Sequence, residues 1–190
     1  MYQNKRNETR KKIVASFMEL VSKNGIKEVT VKQIAENANV SRGTFYQHYY
    51  DKYVIFDDQK NMLFKQITLQ QNAFLLKNET DLRQDLLDGK FVSKILDIFK
   101  ENAGVVSFLF NYDERFRTQT SDFFEQINQK TLRKINPLVT AKRIKVIAAV
   151  IATVLIKFIE LYILSPDKYD KDFILRESRE LIRVNVLSIL

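Results

Sequence analysis

Apolar residues recur at helical spacing along most of the chain. The first clear stripe consists of Ile13, Phe17, Leu20 and Val21. It follows the i, i+4, i+7, i+8 pattern of an amphipathic helix. Thr9 is placed to cap the start of this helix, and Gly25 can take the left-handed conformation that commonly ends one. The pattern therefore predicts a first helix from about residue 9 to residue 24.

Two short helices follow, separated by a turn. Thr30 and Gln33 have the spacing of a capping box, which predicts a helix from Val31 to about Asn37. Ser41 is a suitable N-cap for another helix over residues 42–48. This spacing is that of a helix-turn-helix. The side chains expected to pack on the first helix are Ile34, Ala35, Val40 and Phe45.

The remaining sequence also favours helices and contains few breakers. The chain of 190 residues has four Gly and two Pro, and no long run alternates with the period of a strand. The predicted helices span about 51–78, 80–88, 91–103, 114–135, 144–164 and 171–190. The fold class is therefore all-α: an N-terminal three-helix helix-turn-helix module joined by a long helix to a C-terminal helical domain.

The last two helices have more apolar surface than a single core needs. The apolar run of residues 146–156 ends at Lys145 and Lys157, well short of the roughly 20 residues of a membrane span. The final helix carries two apolar stripes. We therefore expect a homodimer through the last two helices, which would form a four-helix bundle about a two-fold axis. A monomer with an unusually buried carboxyl end is the alternative.

Charge and composition narrow the function classes. The net charge is +8, and residues 1–52 hold ten Lys/Arg against five Asp/Glu, which is typical of a segment that meets a polyanion. A solvated basic face is the alternative. With no Cys and one His, the chain cannot build a typical transition-metal site, and no metal or cofactor is expected. The absence of cysteine, signal peptide and membrane span favours a cytoplasmic protein.

The predicted third helix, within "SRGTFYQHYYDK", carries side chains suited to a DNA groove. Arg42 can donate two hydrogen bonds to guanine, and Gln47 can pair with adenine. Gly43 would allow close approach to the DNA. The expected phosphate donors are Thr44, Tyr46, His48 and Lys52.

The segment "VTVKQIAENANVSRGTFYQHYYDKYVIF" resembles the DNA-binding domain of the TetR/AcrR family of transcriptional regulators. The family motif has the form T-hydrophobic-x-x-I-A-x-x-A-x-V-S-x-G-T-F/L-Y-x-H-F-x-x-K, and the match extends over about residues 9–56. The resemblance implies phosphate contacts from Thr30 and Lys32 as well. Tyr49 stands where the family usually has Phe, and we expect its hydroxyl to lie near the DNA.

The resemblance also implies a C-terminal ligand-binding and dimerisation domain. Its domains would span residues 1–52 and 53–190. A small apolar or amphipathic ligand would lie among aromatic side chains, although ordinary core packing explains the same residues. The expected pocket residues are Phe91, Phe99, Phe108, Phe110, Tyr112, Phe116, Phe124, Phe158 and Tyr162.

The predicted function is that of a sequence-specific transcriptional repressor, released from a palindromic operator when the ligand binds. No Gly-rich phosphate loop, metal-ligand pair or nucleophile elbow occurs, so no enzyme is predicted. A DNA-associated adaptor whose C-terminal domain binds a protein partner is the alternative.

Overall fold

The computed structural model of the chain describes the backbone of residues 2–186 and the side chains of residues 4–183. Within these residues the fold is all-α. Its helices are α1 (Tyr2–Asn24), α2 (Val31–Asn37), α3 (Arg42–His48), α4 (Val54–Leu75), α5 (Glu79–Leu87), α6 (Lys90–Glu101), α7 (Ala103–Tyr112), α8 (Phe116–Ile135), α9 (Ala141–Leu164) and α10 (Lys171–Val186). Residues 187–190, predicted to continue the last helix, lie outside the described part.

Two predictions about helix boundaries are wrong. The first helix begins at Tyr2, so Thr9 lies inside it, and its Oγ1 donates to the Lys5 carbonyl oxygen at 3.0 Å. The sequence also predicts no separate helix where α7 lies, because Gly104 has the low helix propensity of a helix end. The structure places Gly104 in the first turn of α7, with Asn102 as the C-cap of α6. A glycine inside a helix costs only about 0.5–1 kcal/mol, which neighbouring apolar packing can offset.

The described chain divides into two compact units. Unit 1 contains residues 1–61 and 111–113, and unit 2 contains residues 62–110 and 114–190. In unit 1 the core side chains Ile13, Phe17, Ile34 and Phe45 are fully buried. The rings of Phe17 and Phe56 meet edge to face with centroids 5.2 Å apart. These contacts join α1 to the helix-turn-helix and to the start of α4.

Unit 2 is built around the packing of α8 on α9. Ala148 and Ala152 are fully buried on α9, and their small side chains let the two helices approach closely. Asn128 of α8 donates from Nδ2 to the Ala148 carbonyl oxygen at 3.3 Å. Phe99 and Phe124 fill the neighbouring core with ring centroids 6.2 Å apart.

One face of α9 and α10 exposes apolar side chains. Val146, Val150 and Leu181 are 60%, 54% and 41% exposed. By length and composition alone, α9 is apolar enough to cross a membrane. Its other face, however, buries eight side chains within unit 2, as a core helix does.

Candidate functional site

The turn between α2 and α3 is held by backbone hydrogen bonds and by one unusual residue. The amide of Asn39 donates to the Glu36 carbonyl oxygen at 3.1 Å, and that of Val40 donates to the Ala35 carbonyl oxygen at 2.9 Å. This is the Schellman pattern of a helix end. Asn39 takes the left-handed conformation, with φ 53°, that glycine usually supplies. The turn thereby fixes the direction in which α3 leaves α2.

Local caps determine where α2 and α3 begin. Thr30 and Gln33 form the predicted capping box: the Gln33 amide donates to Thr30 Oγ1 at 3.3 Å, and the Thr30 amide donates to Gln33 Oε1 at 2.8 Å. Ser41 caps α3 by accepting from the Thr44 amide at 2.9 Å. The hydroxyls of Ser41 and Thr44 are also 2.9 Å apart. Thr30 and Thr44 are therefore both engaged within the protein.

The outer face of α3 presents polar and aromatic groups to solvent. Arg42, Gly43 and Gln47 are exposed, and Tyr46 is 50% exposed, while Phe45 on the opposite face is fully buried. Within the described part of the chain, the side chains of Arg42 and Gln47 have no hydrogen-bond or ion-pair partner. Their donors and acceptors are therefore available to a molecule outside the protein.

Gly43 has no role that the protein itself explains. Its backbone is helical, and a Cβ built on it would meet only Ser41 Oγ at 3.6 Å, an ordinary contact distance. A side chain here would therefore fit the folded protein. Because Gly43 has no side chain, no group protrudes from the exposed face of α3 between Arg42 and the rest of the helix.

His48 is the last residue of α3, and Lys32 lies in the first turn of α2. Burial lowers the pKa of the His48 imidazole from its ordinary value, and the charges of Arg6 and Arg10 lower it further. A neutral imidazole still has one N–H to donate. Lys32 is exposed, with Nζ 3.9 Å from Glu36 Oε1, so its charge is accessible to solvent.

Lys52 has a structural environment that the sequence did not suggest. Its Nζ donates to the carbonyl oxygens of Ile26 at 2.7 Å, Val29 at 2.6 Å and Lys27 at 3.4 Å. An ammonium group has three N–H donors, and here all three point at the loop between α1 and α2. Lys52 thus joins the end of the helix-turn-helix to this loop.

The expectation that the Tyr49 hydroxyl lies near the DNA is wrong. The Tyr49 side chain is only 4% exposed, and its hydroxyl donates to Asp58 Oδ2 at 2.7 Å. Arg10 donates from Nε to the same Asp58 oxygen at 3.0 Å and to the Tyr49 hydroxyl at 3.2 Å. The Tyr49 hydroxyl therefore lies between Arg10 of α1 and Asp58 of α4. Burial, reinforced by the Asp58 carboxylate, raises the pKa of Tyr49 well above its ordinary value.

Sequence reasoning overlooked Tyr50, which directly follows α3. It is 82% exposed, and it has no hydrogen-bond partner among the described residues. An exposed tyrosine presents both an aromatic face and a hydroxyl donor. The signal was present in the run "HYYDK", where two successive tyrosines cannot both point to the core.

Unit 2 contains an apolar cavity of about 110 Å³ among α5, α6, α8, α9 and α10. Of the nine predicted pocket residues, Phe91 and Phe158 line it. Six others are buried elsewhere in unit 2, namely Phe99, Phe108, Phe110, Phe116, Phe124 and Tyr162. Tyr112 belongs to unit 1, where its hydroxyl donates to the Ser22 carbonyl oxygen at 3.4 Å. Across the described residues, no cluster of three or more His, Cys, Asp or Glu could hold a metal ion.

A turn of fixed geometry, a capped second helix and an exposed polar face on that helix together define a helix-turn-helix DNA-binding domain. Residues 13–58 match the sequence model of the bacterial regulatory proteins of the tetR family. The resemblance of this region to the TetR/AcrR family is thus confirmed, and the amino-terminal domain is of the TetR type.

Known proteins extend the similarity beyond this domain. An uncharacterized HTH-type transcriptional regulator, YvkB of Bacillus subtilis (strain 168), is 34% identical over 79 residues, which are 42% of this chain and 40% of that protein. A transcriptional regulator of the TetR/AcrR family from Aquifex aeolicus VF5 has a TM-score of 0.65 at 20% identity, covering 93% of this chain and 98% of that one. NalD, the secondary repressor of the MexAB-OprM multidrug efflux pump in Pseudomonas aeruginosa, has a TM-score of 0.68 at 17% identity, covering 95% and 97%. The whole chain therefore has the fold of these regulators.

Proposed function

We propose that this protein is a sequence-specific transcriptional regulator that binds a palindromic DNA operator as a homodimer. The observation that carries the proposal is the exposed face of α3, where Arg42 and Gln47 have no partner within the described protein. Long polar side chains held on a rigid, capped helix are what direct reading of the major groove requires. The TetR-type domain supports the same function.

The side chains on and around α3 would divide the work between bases and phosphates. Arg42 would donate to the O6 and N7 of guanine, and Gln47 would pair with the N6 and N7 of adenine. Gly43 would let the DNA approach α3 closely. The proposed phosphate contacts are Lys32, Tyr46 and His48. Thr30, Thr44 and Lys52 already bond within the protein, so each contributes mainly by holding the α2–α3 geometry.

The exposed apolar face of α9 and α10 supports the homodimer. Val146, Val150 and Leu181 would be covered by the same face of a second copy. A two-fold dimer can present two α3 helices about 34–36 Å apart, which is one turn of DNA. The operator would then be a palindrome with that spacing between half-sites.

The proposed mode of regulation is repression by a cytoplasmic protein. The protein would release the DNA when a small molecule binds. NalD is described as a repressor of an efflux pump, and its fold is shared by this chain. A ligand that binds better to one conformation of the dimer would shift the population away from the DNA-binding form. No catalytic role is proposed. If unit 2 bound a protein instead, the chain would be the adaptor considered above.

Selection of bound sequences from a random double-stranded DNA pool tests the function. The purified protein should recover a palindrome with half-sites about one helical turn apart. Arg42→Ala should then relax the preference at one base position, at a cost of about 1–3 kcal/mol. Lys12→Ala, which removes one exposed positive charge from α1, is the matched control and should leave the preference intact. Binding without any sequence preference would refute the proposal.

A further inference from the structure

A second space in unit 2 is larger and more polar than the apolar cavity. It is a cleft of about 380 Å³ between the end of α4 and the helices α5, α6 and α10. This volume lies in the range of about 300–1,000 Å³ that is usual for small-molecule sites. Phe74 and Phe91 form an aromatic part of its wall, with ring centroids 5.0 Å apart. The cleft could therefore hold a small organic molecule.

Both carboxylates of the cleft already form ion pairs with lysines. Asp85 is 5% exposed and forms ion pairs with Lys77 and with Lys90, the latter at 2.6 Å. Lys90 is also 3.5 Å from Asp88. The two lysines together lower the pKa of Asp85, Lys77 having the larger effect. These four groups balance one another in charge.

Two further cations of the cleft are not balanced. Lys94 and Arg179 both line it, and neither has a carboxylate partner anywhere in the described part of the chain. Arg179 uses Nε to donate to the Asp88 carbonyl oxygen at 2.9 Å, which fixes the guanidinium while its terminal nitrogens keep their donors. The cleft therefore carries two positive charges without an internal counter-ion. An anionic group of a bound molecule would balance these two charges.

Phe91 lines both this cleft and the apolar cavity, so the two spaces are neighbours within unit 2. The cavity offers few polar groups, and those present are used within the protein. Asn128 donates to the Ala148 carbonyl oxygen, Thr131 to that of Ile127 and Ser178 to that of Leu175. Two of its lining residues, Val150 and Leu181, lie on the exposed face of α9 and α10, so the cavity opens on that face, and its apolar lining suits a short apolar group.

We propose that the two spaces together bind one amphipathic organic anion. Its charged head would lie between Lys94 and Arg179, and its apolar body would pass along the Phe91 ring into the cavity. This inference rests on the proposed function, for which it names the chemical class of the regulatory ligand. A metal ion, a cation or an uncharged apolar molecule would leave the two positive charges unmatched.

Calorimetric titration of the full-length protein with octanoate tests the inference. Octanol has a tail of the same length without the charge, acetate has the head without the tail, and octyltrimethylammonium reverses the charge. Octanoate should bind at least about 10-fold more tightly than each of the three, because only it satisfies both spaces. Equal binding of octanoate and octanol, or of octanoate and acetate, would overturn the proposal.

Charge-removing variants locate the head group. Lys94→Gln combined with Arg179→Gln should weaken octanoate binding at least about 10-fold and leave octanol binding unchanged. The matched control, Lys142→Gln with Arg133→Gln, removes two exposed charges of unit 2 outside the cleft and should bind octanoate normally. Because Arg179 also contacts the Asp88 backbone, Lys94→Gln alone provides a variant with no bond to lose. Wild-type affinity in both cleft variants would reject this site.

The ligand and DNA experiments can fail separately. If the protein binds octanoate but selects no DNA motif, the anion site is supported and the proposed regulator is refuted. If it selects a palindrome but does not bind octanoate, the regulator is supported and the anion site is refuted. The titration therefore contains no DNA, and the selection contains no octanoate.

Discussion

The role of Lys52 separates two accounts of the helix-turn-helix. The sequence predicts a phosphate contact, whereas in the structure the ammonium donates to the carbonyl oxygens of Ile26, Val29 and Lys27. Lys52→Met tests the difference, because it removes the charge and donors but keeps an unbranched side chain. A positioning role predicts lower stability, and a phosphate role predicts weaker dependence of DNA binding on salt.

The expected loss of stability follows from the hydrogen bonds. Those at 2.7 Å and 2.6 Å are short, and the one at 3.4 Å is weak. Hydrogen bonds to charged groups contribute about 1.5–3 kcal/mol each. Lys52 is partly exposed, so water replaces part of what is lost. We therefore expect Lys52→Met to lower the free energy of unfolding by about 2 kcal/mol.

Urea unfolding measures the change in the free energy of unfolding. Titration of a non-specific DNA duplex at several salt concentrations measures the salt dependence of DNA binding. A phosphate contact contributes about 0.9 to the slope of log affinity against log salt. The structure predicts that Lys52→Met keeps the wild-type slope, while Lys32→Met, whose charge is exposed, reduces it by about one. Unchanged stability with a slope reduced by about one in Lys52→Met would refute the positioning role.

Three further predictions concern unit 1. Asn39→Ala should cost about 1 kcal/mol in urea unfolding, because φ is 53° there, while Asn39→Gly should cost less than about half of that. The raised pKa of Tyr49 means that its contribution to stability is present below the unfolded value of about 10 and is lost as the pH rises further, so Tyr49→Phe should flatten the fall in melting temperature above pH 10. Lys60→Met should destabilise by about 3–5 kcal/mol, because it leaves the buried Asp113 carboxylate without the ammonium 2.7 Å away. Adding Asp113→Leu should recover most of that loss, and failure to do so would count against the ion pair as the cause.

The helix-turn-helix was predictable because its signals are local. The capping box at Thr30, the N-cap at Ser41 and the left-handed Gly25 each act within a few residues of the chain. Such signals do not depend on tertiary contacts, so the sequence pattern was sufficient to place α2 and α3. Where a local signal misled, as at Gly104, packing of the neighbouring apolar residues overrode the low helix propensity of glycine.

The contacts of Tyr49 and the outline of the ligand site were not predictable in this way. Tyr49 meets Arg10 across 39 residues of sequence, and Lys52 reaches a loop 23 to 26 residues earlier. No local pattern encodes such pairings. Aromatic content likewise does not distinguish a wall from a core: Phe91 lines both spaces of unit 2, whereas Phe124 is fully buried in packed side chains.

The residues of the proposed DNA interface can be ranked by the hydrogen bonds that they already make within the protein. A polar group that already has partners can bind an external molecule only by giving up those bonds, so it contributes little net free energy. Lys52 is in this position, while Arg42, Gln47 and the overlooked Tyr50 keep their donors accessible to solvent. Specificity should therefore reside in the unpartnered side chains of and directly after α3. The satisfied residues of the motif hold those side chains at a fixed angle, and their substitution should affect all DNA sequences alike.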